Sequence, residues 1–200
     1  MNSKLPNFKN NLSQLIASAS VSSVNPAHDM SNAGVINLLG DWLDSLGFRT
    51  EVQSVGVNGK QNLIATIGPG TGGLVLSGHS DTVPYDDIQW LSDPFQCTHR
   101  ESGFYGLGST DMKGFFAVAL EAIQQVDLTA LKAPLTLIAT ADEESTMSGA
   151  RFLARSGLSL GEAVIIGEPT DLKPVHMHKG ISMQAIRITG RSGHSSNPEL

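Results

Sequence analysis

Two scarcities in the sequence exclude whole classes of protein. Cys97 is the single cysteine among 200 residues, so no internal disulfide can form and a disulfide-stabilised secreted scaffold is excluded. No apolar run approaches the ~20 residues of a transmembrane helix, and the first ten residues lack the apolar core of a signal peptide. We therefore expect a soluble protein of the cytoplasm.

Positive charge is scarce as well. The chain carries 13 Lys and Arg against 19 Asp and Glu, a formal net charge of -6, which argues against nucleic acid or an anionic membrane as the main partner. Its apolar and charged fractions, 40% and 16%, are ordinary for a soluble globular protein. The length suffices for one domain with a full core, or for one domain and a piece of another.

The hydrophobic pattern predicts an α/β domain. Apolar residues recur at helical spacing over 7–19 and again in a helix that Gly47 ends, and Asn58-Gly59 signals a hairpin between two alternating strands. The predicted strands cover 49–55, 62–67, 74–78, 135–140 and 163–166, and the later predicted helices cover 111–126 and 147–157. This order predicts a mixed, largely buried sheet flanked by helices.

After Pro174 the pattern changes, because residues 181–188 alternate as a half-buried strand of a new region. Since the chain stops soon after this element begins, we expect the sequence to be the first part of a longer protein.

Six side chains that could bind a metal or move a proton follow predicted strands or open a helix. His79 and Asp81 lie just after the predicted strand 74–78, and residues two apart in an extended chain point to the same side. The carboxyl ends of such strands are where open α/β sheets bind ligands. Imidazole and carboxylate ligands suit Zn²⁺ or a related divalent ion. The other four residues are Asp111, Glu143, Glu144 and Glu168.

Each residue also has a purely structural interpretation when it is taken singly. Asp111 is typical of a helix N-cap, and adjacent glutamates before a helix are often first-turn charge. Jointly, the placements favour one metal site. Within that site, Glu143 and Glu144 point in different directions, so one can bind metal while the other acts as a general base. Asp81 is then suited to orient His79.

Four segments resemble the M20 metallopeptidase family and follow one another in the family's order. Within the family, Trp90 and the segment Asp93-Pro-Phe95 most resemble the members that remove the acetyl group from acetylornithine. The resemblance implies that residues 1–178 are the first, incomplete segment of a zinc-peptidase-like catalytic domain. Residues 179–200 would begin a smaller α+β dimerisation domain. The four segments are 77–84, 106–114, 140–145 and 166–170.

The resemblance also implies a role for each candidate residue. It implies two Zn²⁺ ions, for which Co²⁺ can substitute, with Asp111 bridging them and a cis peptide following it. His79 and Glu168 would bind the first ion and Glu144 the second, while Asp81 would orient His79. Glu143 would be the general base. His194 would reach the partner subunit's active site and stabilise the oxyanion. A last metal ligand, a histidine, is expected after residue 200.

The function implied by this resemblance is metal-dependent amide hydrolysis in amino-acid biosynthesis. The expected substrate is a small N-acyl amino acid, N2-acetyl-L-ornithine, which would give L-ornithine and acetate on the route to arginine. The enzyme would be a homodimer formed through the domain that begins near residue 180, with no nucleic-acid or membrane partner. The alternatives are a related deacylase or dipeptidase, such as one acting on succinyl-diaminopimelate, or a non-catalytic metal-binding module.

Overall fold

A computed structural model describes residues 5–56, 58–86, 88–101, 103–177, 179–180, 182, 184, 186–190 and 196. It divides into two compact units, residues 1–169 and 170–200. All the helices and strands found in the described part of the chain belong to the first unit.

Among its described residues, the first unit contains four α-helices and seven strands. Two helices come first, five strands follow in succession, and then helices and strands alternate. The helices are α1 (Phe8–Ala17), α2 (Ala33–Ser45), α3 (Lys113–Ile123) and α4 (Ser148–Ser156). The strands are β1 (Arg49–Ser54), β2 (Gln61–Ile67), β3 (Leu74–His79), β4 (Thr98–Arg100), β5 (Gly103–Tyr105), β6 (Leu135–Thr140) and β7 (Ala163–Ile166).

Five strands make one mixed sheet in the order β1-β2-β6-β3-β7. The β1–β2 and β2–β6 pairs are antiparallel, whereas β3 runs parallel to both β6 and β7. The carboxyl ends of β3, β6 and β7 therefore lie at one edge of the sheet, where a ligand site is expected. The predicted α/β class with a mixed sheet flanked by helices is confirmed.

Helices cover the two faces of the sheet. On one face, α1, α2 and α3 pack a large apolar core that includes Leu15, Leu39, Leu120 and Leu137. On the other face, α4 contributes Leu153 to a smaller cluster with residues of β2, β3 and β6. All six residues of β6 are buried, as befits a central strand between two helical layers.

Three predictions about local structure differ from the observed elements. Helix α3 begins at Lys113, two residues after Asp111, because its first turn is closed by the Phe115 N–H donating to the Met112 carbonyl. Residues 98–105, which lie outside all the predicted strands, form the β4–β5 hairpin. The described residues within 181–188 form no strand.

No helix among the described residues is long and apolar enough to span a membrane.

Candidate metal centre

His79 is the last residue of β3, and its side chain is 1% exposed. Its Nδ1 lies 3.0 Å from the main-chain oxygen of Asp81. Because a carbonyl oxygen can only accept, Nδ1 carries the proton and Nε2 presents its lone pair. Nε2 lies 3.0 Å from Oδ1 of Asp111 and 3.8 Å from Oε1 of Glu168. The imidazole is thus oriented as a ligand that faces carboxylates.

The carboxylate of Asp81 is fully buried behind His79. Its Oδ1 lies 3.6 Å from Nδ1 of His79, while its two oxygens accept the backbone N–H groups of Glu143 at 3.2 Å and Glu144 at 3.1 Å. The main chain of Asp81 therefore orients the imidazole, and its side chain fixes the neighbouring glutamates. Sequence reasoning considered only the contact with His79.

Asp111 reaches the site from the turn that precedes α3. The Asp111–Met112 peptide is cis, as the family resemblance implies. Met112 is buried, and its sulfur accepts the backbone N–H of His79 at 3.2 Å. This turn packs so closely on β3 that a Cβ at Gly78 would lie 2.6 Å from Cε of Met112, which explains the glycine in the strand.

Glu143 and Glu144 belong to an acidic turn, residues 142–146, that connects β6 to α4. The main-chain oxygen of Asp142 accepts N–H groups from Ser145, Thr146 and Met147. Asp142 has a φ of 57°, a left-handed conformation that aspartate tolerates better than most residues. The turn brings both glutamates to the carboxyl end of β6, beside His79.

Glu168 follows β7, the strand that pairs with the far side of β3. The Gly167 N–H donates to the main-chain oxygen of Ser77 and continues the pairing to the edge of the sheet. The side chain of Glu168 is 40% exposed, close to the 48% of Asp111. The two carboxylates are therefore accessible from solvent, whereas His79 is not.

Two sets of donor atoms meet at His79. In each set, the three atoms that could hold a metal ion lie within 4.8 Å of one another. One set joins His79 to Asp111 and Glu168, and the other joins it to Glu143 and Glu144. A nitrogen with several carboxylate oxygens is a donor set that suits Zn²⁺ and related divalent ions.

The charges of the site also fit a divalent cation. Burial raises the pKa of Glu144 to about 7, and the negative charge of Asp111 adds to this effect. The pKa of Glu168 is raised by burial and by neighbouring carboxylates, although His79 opposes the shift. Burial alone would lower the pKa of His79, but the surrounding carboxylates, Asp81 foremost, raise it. A bound cation would relieve this crowding of negative charge.

Sequence reasoning missed three buried side chains behind the metal-facing residues. Asp142 precedes Glu143 in the segment 140–145, and Lys113 follows Asp111 in the segment 106–114, so both lie inside the motifs that carry the family resemblance. Lys60 has no local signal beyond its place after the hairpin turn. It forms ion pairs of 2.7 Å with both Asp29 and Asp142. The predicted residue His194 lies outside the described residues.

Comparison with known proteins agrees with this geometry. The model of peptidase family M20/M25/M40 matches residues 75–195. This span contains the six candidate site residues that were predicted within the first 178 residues. The chain is 54% identical to the acetylornithine deacetylase of Pasteurella multocida over 98% of its own length and 51% of that protein's. It is 52% identical to the acetylornithine deacetylase of Proteus mirabilis over 100% of its own length and 52% of that protein's length. The chain thus spans about half the length of these curated relatives.

Solved structures share the fold at much lower identity. Human carnosine dipeptidase 1 superposes with a TM-score of 0.67 at 22% identity, covering 80% of this chain and 38% of that one. An M20 family metallo-carboxypeptidase from Sulfolobus solfataricus gives a TM-score of 0.67 at 21% identity, and the match covers 82% of this chain and 37% of that one. At these identities the two structures support the fold alone.

Proposed function

The chain belongs to peptidase family M20, a family of hydrolases that use a divalent metal, usually zinc, and on that premise we propose that its protein hydrolyses N2-acetyl-L-ornithine to L-ornithine and acetate. The observation that carries the proposal is the identity of 52–54% to acetylornithine deacetylases along nearly the whole chain. The donor set around His79 supports amide hydrolysis as the reaction class.

The residues present fit a divalent ion, and the proposal places two such ions at the site. In the proposal, His79 and Glu168 would hold one ion, Glu144 would hold the other, and Asp111 would supply a further carboxylate ligand. The first ion is supported by the donor set of His79, Asp111 and Glu168, and Glu144 lies in a second set around the same histidine. When bound, the metal supplies the Lewis acidity that polarises an amide carbonyl and activates water.

Glu143 is the proposed proton carrier. Its backbone N–H is fixed by the Asp81 carboxylate, so the side chain extends from a held main chain rather than from a free loop. A carboxylate in this position can accept a proton from the attacking water and return it to the leaving amine. Asp81 keeps the Nε2 lone pair of His79 directed at the site, because its main-chain oxygen accepts the Nδ1 proton.

The role of His194 and the homodimer remain predictions. The proposal includes them because a second oxyanion donor would add to the polarisation of the amide carbonyl. It also includes the division of the chain into a catalytic segment, 1–178, and the start of a dimerisation domain, 179–200.

The test is Glu143→Gln in the full-length protein, loaded with zinc and assayed for release of ornithine. Removing a general base is expected to lower kcat by about 10²–10⁴-fold, while the zinc content stays that of the parent. Glu121→Gln on α3, an exposed carboxylate outside the site, is the matched control and should leave kcat unchanged.

Substrate choice is tested in the same assay with succinyl-diaminopimelate. A parent enzyme that prefers this compound would move the proposal to a related deacylase. Turnover that persists in Glu143→Gln would show that another group carries the proton.

A further inference from the structure

Asp142 is a buried carboxylate that the proposed mechanism does not use. Its side chain is 12% exposed, and each of its oxygens accepts a bond from a different part of the chain. Oδ1 lies 2.7 Å from Nζ of Lys60 and accepts the hydroxyl of Ser22 at 3.1 Å. Oδ2 accepts the hydroxyl of Ser148 at 2.8 Å. The carboxylate is thus fully engaged by side chains outside the metal-facing set.

Lys60 connects this carboxylate to a second one. Its side chain is 4% exposed, and Nζ lies 2.7 Å from both Asp29 and Asp142. Asp29 in turn accepts the Ser23 N–H and the side-chain amide of Asn58. Burial alone would lower the pKa of Lys60, but the hydrogen bonds that it donates to Asp142 and Asp29 outweigh this effect and raise the pKa. Lys60 is therefore a fixed cation between two elements of the fold.

The acidic turn 142–146 is held from two opposite sides. On one side, the Asp81 carboxylate accepts the N–H groups of Glu143 and Glu144. On the other side, Lys60 holds the side chain of Asp142, whose own main-chain oxygen closes the turn. Asp142 directly precedes Glu143 in the chain, so a shift of Asp142 is expected to move both glutamates.

We propose that Asp142 and Lys60 are positioning residues that set the direction of Glu143 and Glu144 at the metal centre. Neither residue belongs to the two donor sets, so they act through the acidic turn. The proposal rests on the proposed function for its effect on turnover, but its effect on metal binding does not depend on which substrate is cleaved.

Asp29 provides the matched control that separates positioning from general stability. It is paired with the same lysine at the same distance, and its side chain is 10% exposed against 12% for Asp142. It has no bond to the acidic turn. Asp29→Asn and Asp142→Asn should therefore cost similar thermal stability, and only the second should disturb the glutamates.

The experiment measures kcat, KM and zinc affinity for Asp142→Asn and Asp29→Asn in the full-length protein. Asparagine tolerates the left-handed backbone at 142, so the turn is retained while its charge is lost. We expect Asp142→Asn to lower kcat about tenfold, since small misplacements of reacting groups are costly. KM should change less than about threefold, as for groups that act only in the transition state. Zinc affinity, measured by competition with a chromophoric chelator, should fall about tenfold, as for residues behind metal ligands.

A second pair of variants, Asp142→Gly and Asp29→Gly, tests whether the loss of kcat grows when all side-chain bonds are removed. Glycine also accepts a positive φ, so Asp142→Gly removes every side-chain bond without a backbone penalty, and kcat should fall about 100-fold. Should this variant fail to fold, the milder asparagine pair still decides the question.

The outcomes separate this proposal from the proposed function. Equal losses of kcat and of zinc affinity in the Asp29 and Asp142 variants would overturn the positioning role. If the parent cleaves no N-acyl amino acid, the proposed function fails, and the zinc affinities of the paired variants alone confirm or refute the positioning role.

Discussion

Lys60 and Lys113 are both buried behind the candidate metal centre, but their surroundings shift the pKa of the two ammonium groups in opposite directions. Lys60 lies between two carboxylates, and its pKa is raised. Lys113 is fully buried, and its Nζ donates to the main-chain oxygen of Ser18 at 2.7 Å. Burial lowers the pKa of Lys113 to about 8, and the more distant charge of Asp81 offsets this only in part.

The difference shows that burial alone does not determine how a charge affects stability. Two carboxylates compensate Lys60 for its lost hydration, whereas a neutral carbonyl compensates Lys113 far less. Lys60 thereby gives the acidic turn a firm support. Lys113, at the start of α3, has a pKa lowered by burial and so holds its proton less firmly than a solvated lysine. We therefore expect substitutions of Lys60 to lower the unfolding free energy mainly through loss of charge. Substitutions of Lys113 should lower it mainly through loss of side-chain volume.

The largest effect is expected for Lys60→Met. This change leaves Asp29 and Asp142 buried without their cation, and breaking a buried pair from one side costs about 3–5 kcal/mol of unfolding free energy. Urea denaturation at pH 7 measures the loss.

The control for this loss is Lys173→Met. Lys173 pairs with Asp171 at 2.9 Å, but both side chains are exposed, 77% and 86%. Such a pair is worth less than about 1 kcal/mol. If Lys60→Met were no more destabilising than Lys173→Met, the compensation described for Lys60 would be wrong.

The metal-facing residues could be predicted from the sequence because their signals are local. His79 and Asp81 follow an apolar run, and Glu143, Glu144 and Glu168 follow two others, so strand ends alone bring them to one edge of the sheet. Family resemblance added the roles. The placement of α3 after Asp111 was predicted to within two residues.

The supporting residues could not be predicted in the same way, because their partners are distant in sequence. Lys60 pairs with a residue 31 positions earlier and with Asp142, which lies beyond five further strands of the chain. Lys113 bonds a carbonyl 95 positions away. No periodicity reports such contacts, and a lysine after a hairpin turn is ordinarily a solvated one.

The next largest effect is the pH dependence of the unfolding free energy above pH 8. The folded pKa of Lys113, about 8, lies below the ordinary lysine value of 10.5. Between these values the unfolded chain binds the extra proton, so the Lys113 contribution to the unfolding free energy rises with pH, by on the order of 3 kcal/mol in total. The raised pKa of Lys60 has the opposite sign, and its contribution is complete below pH 10.5 and is lost above it.

Urea denaturation of the parent and the two methionine variants at pH 7, 8.5 and 10 measures this contrast. The destabilisation caused by Lys113→Met should grow from pH 7 to pH 10, while that caused by Lys60→Met should stay constant. Parallel curves for the two variants would contradict the opposite pKa shifts.

The smallest effect is expected for Lys113→Met at pH 7. Methionine has nearly the same length and keeps the apolar contacts of the side chain, so little cavity forms. The substitution leaves the Ser18 carbonyl without its donor, which costs about 1–3 kcal/mol. It also removes a poorly compensated charge, and the gain offsets most of this cost. We expect a net change within about 1 kcal/mol.

Lys113→Ala separates volume from charge at the same position. It removes the same ammonium group but leaves a cavity beside α3, and truncating a long buried side chain costs about 2–5 kcal/mol. The difference between the alanine and methionine variants, measured by urea denaturation at pH 7, reports the packing of Lys113 alone. If the two variants were equally unstable, the charge rather than the volume of Lys113 would matter, and the contrast with Lys60 would disappear.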